Sequence, residues 1–163
     1  MSTESLVDAL EREHQQIDHA IDDFLSEGGD ATALLGAITA LRRHIYLEEE
    51  YLFPALPDPA LAAPVFVMLR EHAQMWRLLD ALDDVLRTRD DRSEAARLCK
   101  QLSIQLQHHN QKEERILYTA AATTIPTELT DRIRGLIHST PEAPSGWVCI
   151  KTRNTGEGSP SSV

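Results

Sequence analysis

The chain has 163 residues, 42% hydrophobic and 26% charged, which suits one globular domain and leaves no room for two of ordinary size. A formal net charge of -10 with no basic stripe argues against a nucleic-acid binder, and no apolar run reaches the roughly 18 residues that a membrane span needs. The two cysteines, Cys99 and Cys149, make neither a disulfide framework nor a CxxC pair and read as incidental thiols. The start MSTESLVDALEREH has no basic and apolar leader pattern, so the expected compartment is the cytoplasm.

The first predicted helix covers residues 3 to 25, with Val7, Leu10, His14, Ile17, Ile21 and Leu25 at steps of three and four. Ser2, Thr3 or Ser5 can cap its start, and Gly28 and Gly29 end it. The second opens near Asp30 or Thr32 and runs through Leu34, Ile38, Leu41, Ile45, Glu48 and Leu52 until Pro54 stops it. Pro64 suits the first turn of the third, which carries Met68, His72, Trp76, Leu79 and Leu82. TRDDRS breaks the pattern, and the fourth runs from about Ser93 to Ala122 through Leu102, Leu106, His109, Glu113 and Leu117. Pro126 and Thr127 restart a short fifth helix. Short links favour antiparallel neighbours, so the expected architecture is all-α: an up-down-up-down four-helix bundle with a short C-terminal fifth helix. The bundle domain is placed at 1–138. Residues 139–163, rich in Pro, Gly, Ser and Thr, are expected to form a flexible tail with a disordered end, and Trp147–Ile150 either packs on the bundle or frays.

The second and fourth helices share a pattern: HIYLEEEYLF at 44–53 and HNQKEERILY at 109–118 match at His, both following Glu residues, Leu and a final aromatic. The other two helices repeat as well, EHQQIDHAID from Glu13 matching EHAQMWRLLD from Glu71. Positions four apart lie on one helical face, so His44 with Glu48 and His109 with Glu113 each present a chelating pair, and the flanking apolar residues turn those faces inward. Unpaired buried carboxylates cost several kcal/mol, which divalent cations would remove. With His14 and His72 at the same level, the six make a metal-site candidate whose imidazole and carboxylate donors suit iron, manganese or zinc. Taken singly, each histidine is more often a hydrogen-bonded core residue; repetition reverses that. Glu49, Glu50 and Glu114, rotated by about 100° or more from the seam on an ideal helix, are expected to face water, as are His19 and His108. His138 has no partner in sight, and Asp18, four residues past His14, reads equally as a further carboxylate or a surface acid.

Over residues 3 to about 122 the combination of HIYLEEEYLF, HNQKEERILY and the two Glu-His steps resembles the hemerythrin-like (HHE cation-binding) family. The resemblance implies a non-haem di-iron centre, with His14 and His44 on one iron, His72 and His109 on the other, and Glu48 and Glu113 bridging. Oxygen carriers of that family place a second histidine on the third helix one turn after the first, where this chain has Trp76. The set of four histidines and two glutamates is closer to bacterial members implicated in responses to oxidative or nitrosative stress, and it leaves open coordination positions. The implied function is binding of, or reaction with, O2, NO or peroxide, in stress response or iron homeostasis. The alternative is a sensing or storage module without turnover.

Overall fold

The structure is a computed structural model describing residues 4–26 and 29–153. It is all-helical, with no strand among the described residues. Helix α1 (Leu6–Leu25) starts at a capping box in which Ser5 and Asp8 satisfy each other's backbone N–H, so Ser5 is the cap. Ser2, Thr3 and Gly28 lie outside the described residues. Helix α2 (Ala31–Leu47) is capped by Asp30, whose carboxylate accepts from the Thr32 N–H at 2.8 Å. Helix α3 (Ala62–Thr88) has Pro64 in its first turn, and α4 (Arg92–Lys112) is capped by Asp91. Short α5 (Thr119–Thr124), α6 (Thr127–Ser139) and α7 (Ile150–Arg153) complete the chain.

The long helices close on one another: α1 packs on α2 and α4, and α3 on α4 and α2. Their buried faces form two apolar clusters. One runs from Ile17, Leu41 and Leu79 to Leu102, and the other gathers Leu10, Leu52, Met68 and Leu117 with Ile133 of α6. On α1, His14 falls between Leu10 of one cluster and Ile17 of the other, so a polar layer interrupts the core.

The second and fourth helices were expected to run unbroken through their glutamates. Instead each loosens into a π-helical turn that begins at the glutamate, Glu48–Leu52 and Glu113–Tyr118. In the first, the Phe53 N–H reaches back five residues to the Glu48 carbonyl. Pro54, with no N–H for the Glu50 carbonyl, is one local reason for the change of pitch there.

Beyond Ser139 the chain remains attached. Cys149 is fully buried in a core cluster, Trp147 packs edge-on against Trp76 and Tyr46, and α7 contacts α3. Of the two alternatives for Trp147–Ile150, the structure takes packing, and Cys149 is a core residue. Of the last dozen residues, expected to be disordered, Thr152 and Arg153 belong instead to α7, and 154–163 lie outside the described residues.

Candidate metal centre

His14, His44, Glu48, His72, His109 and Glu113, one or two from each long helical stretch, converge in the polar layer, each at most 4% exposed. They form two overlapping groups, His14, His44, Glu48 and Glu113, and Glu48, His72, His109 and Glu113, with the donor atoms of each within 4.8 Å of one another. The glutamates are common to both. Glu48 turns Oε1 to His44 Nε2 at 3.0 Å and Oε2 to His72 Nε2 at 3.2 Å. Glu113 Oε2 lies 3.4 Å from His14 Nε2 and 3.5 Å from His109 Nε2. His14 and His44 fall in one group and His72 and His109 in the other, and each carboxylate touches one histidine of each.

Each histidine is fixed from behind. Nδ1 of His14, His44, His72 and His109 meets a carboxylate of Glu114, Glu13, Glu49 and Glu71, at 2.9, 2.9, 3.0 and 2.8 Å respectively. A carboxylate only accepts, so Nδ1 carries the proton and Nε2 is the atom presented inward. Two of these glutamates have cationic partners, Glu13 with Arg43 and Glu71 with Lys112. Arg43 also donates to the Ile137 and Thr140 carbonyls, both at 3.0 Å, tying the end of α6 to the polar layer. Glu49 accepts from the Ile150 N–H at 2.8 Å, and Glu50 from Trp147 Nε1 at 2.8 Å.

This corrects the expectation for Glu49 and Glu114. Glu49 is only 2% exposed, and Glu114, half-buried, holds His14; Glu50 alone of the three is exposed. In packed helices a residue beside the inward seam faces a neighbouring helix, and the π turns alter the ideal 100° step. His19, His108 and His138 are exposed, and Asp18, half-buried, belongs to neither donor group. Trp76 is buried under Arg42, whose guanidinium lies 4.6 Å from the ring centre, and against Trp147. The sequence reading assigned no role to Tyr118, whose hydroxyl reaches the layer and donates to Glu48 Oε1 at 2.5 Å. The paired Glu-His steps were the visible signal for Glu13 and Glu71.

Burial alone would raise the Glu48 carboxyl, but His44 and His72 hold it well below its usual range. Glu113 is likewise lowered: burial and Glu48 oppose this, while His109 and His14 outweigh them. Burial would lower His44 and His72, yet Glu48 raises both; His109, against the same burial, is raised by Glu113 and Glu71 to about 9. Metal-free, the layer thus holds protons where cations would otherwise balance its carboxylates. Glu113 Oε1 is buried without a hydrogen-bond partner, and Glu48 Oε2 and His72 Nε2 face each other at 3.2 Å without a formed hydrogen bond; inward-facing polar atoms of this kind suit a site built for cations.

The Hemerythrin HHE cation binding domain family matches residues 5–121. The chain belongs to that family. Its matched span includes all six inward donors of this hemerythrin domain and the four glutamates behind them, and ends before α6. No curated protein and no solved structure matches the chain.

Proposed function

We propose that this hemerythrin-like chain holds two iron ions, one between His14 and His44 and one between His72 and His109, with Glu48 and Glu113 bridging. Manganese and zinc are alternatives that the donor set admits. The long helices are read as an up-down-up-down bundle. The protein would bind or react with O2, NO or peroxide in the cytoplasm, in oxidative or nitrosative stress response or in iron homeostasis. What supports this most is the arrangement of four Nε2 atoms and two carboxylates turned inward in a fully buried layer, with Glu113 Oε1 left without a hydrogen-bond partner.

A bound iron pair would supply redox chemistry and positions for a small ligand. The chain's own part is to hold and insulate. Glu13, Glu49, Glu71 and Glu114 orient the imidazoles and set their tautomer. Phe53 stacks on His72 with ring centres 5.7 Å apart, and the two apolar clusters keep water from the layer on either side.

A sensing module is the second reading, and the docked segment favours it. Ile150 N–H, Glu49 and His72 form one hydrogen-bonded line from the C-terminal segment to a ligand position, so a change at that position reaches the segment. Anaerobic iron loading followed by optical spectra on adding O2, NO and peroxide tests both. Repeated turnover supports an enzyme; a stable adduct with little turnover supports binding or sensing; no spectral response to any of the three contradicts the proposal.

A further inference from the structure

The two halves of the layer differ at one matched position. Phe53 and Tyr118 each stand five residues past a shared glutamate, and the i to i+5 closure of a π turn brings such a residue back over its start. Each stacks on a histidine of one pair: Phe53 on His72 with planes 15° apart, Tyr118 on His14 with centres 5.6 Å and planes 19° apart. The environments match, but one ring carries an oxygen.

That oxygen is fully buried and surrounded by donors of the first pair. It lies 3.2 Å from His14 Nε2, 3.2 Å from His44 Nε2, 2.5 Å from Glu48 Oε1 and 3.4 Å from Glu113 Oε2. Opposite, the Phe53 ring carries no oxygen, and among the described residues no hydroxyl comes between His72 Nε2 and Glu48 Oε2, which face each other at 3.2 Å without a formed hydrogen bond. The phenol oxygen occupies the same small space as the inward atoms of His14 and His44, in a distance range that a cation between them would draw closer.

Resting on the di-iron reading above, we infer that Tyr118 is a protein ligand to the metal held by His14 and His44, and that the metal held by His72 and His109 is the one that takes the small ligand. On loading, the cation replaces the proton that Tyr118 now donates to Glu48; an O–H bond breaks, a metal–oxygen bond forms, and the proton leaves to solvent. The Phe53 ring offers no such donor, so among the described residues a coordination position stays free there.

Loading the whole chain, Tyr118→Phe and Phe53→Tyr with iron, then oxidising them and titrating with azide, tests this. Expected for the unaltered chain are a visible phenolate-to-iron charge-transfer band and one azide per chain. Tyr118→Phe should keep its iron, lose the band and take a second azide. Phe53→Tyr should strengthen the band about twofold and lose azide binding. A band that persists in Tyr118→Phe, or azide stoichiometry unchanged in both variants, overturns the inference while leaving the metal centre intact. A chain that takes up no stoichiometric iron overturns the inference and the proposed function together.

Discussion

Replacing Glu49 with glutamine keeps the side chain's shape and removes one acceptor. The carboxylate now accepts from two donors, His72 Nδ1 at 3.0 Å and the Ile150 N–H at 2.8 Å. Glutamine has a single acceptor oxygen, and its NH2 can only donate. The Ile150 amide cannot change role, whereas an imidazole can switch tautomer, so the amide oxygen should turn to Ile150 and the NH2 to His72. Nδ1 then accepts, and the His72 proton moves to Nε2, the atom the site needs free. Loss of such a supporting partner costs about 10–100-fold in metal affinity, or about 1.4–2.8 kcal/mol at about 1.4 kcal/mol per tenfold. Competition with a chelator of known affinity measures this on loaded protein, with Glu50→Gln as the exposed control and Glu114→Gln as an intermediate case, because 37% of the Glu114 side chain is exposed and water can substitute. If Glu49→Gln and Glu50→Gln bind metal equally well, the account of the supporting glutamates is wrong.

The metal-free protein should be most stable in weakly acidic solution. His109, raised from 6.5 to about 9, contributes stability fully below 6.5 and loses it as pH rises through about 9; the lowered Glu48 and Glu113 contribute above 4.5 and lose it on further acidification. Denaturant midpoints against pH should show that dome without metal. Loading at pH 7 should release protons, read by calorimetry in two buffers; release of none would contradict the assignment. Arg43→Met strips the buried Glu13 of its cation and leaves the Ile137 and Thr140 carbonyls without this donor, and should cost about 3–5 kcal/mol by denaturation; a loss under about 1 kcal/mol would show that α6 is held by other means. Trp147→Ala removes the bond to Glu50 and the packing on Trp76, so protease should cut near residues 140–153 at least tenfold faster; equal rates would refute the docking of that segment.

The six inward residues were legible because the sequence states them twice, at His44 with Glu48 and His109 with Glu113, and again at His14 and His72. An apolar seam with a polar interruption at one level marks a layer even without coordinates. The layer behind was harder to read. Glu49 was assigned to water by treating its helix as ideal, and neither the π turn nor the neighbour it faces can be taken from a 3.6-residue period. Glu13 and Glu71 belonged to a visible repeat, but the imidazoles that donate to them sit on other helices, 31 and 38 residues away. Tyr118 was seen only as an aromatic matching Phe53, because a hydroxyl's partners depend on packing. The C-terminal segment escaped for a different reason: its composition is that of a linker, while its attachment rests on a few residues, chiefly Trp147, Cys149 and Ile150.

The central claim is that the buried layer exists to hold two metal ions between its shared glutamates. Elemental analysis of iron per chain, on the protein and on Glu48→Ala with Glu113→Ala, tests it most directly, with helical circular dichroism confirming that the variant is folded. The account predicts two irons per chain for the unaltered protein, one for each donor group, and loss of that stoichiometry in the variant. No stoichiometric iron in the unaltered chain, or an iron content that the two substitutions leave unchanged, would contradict it.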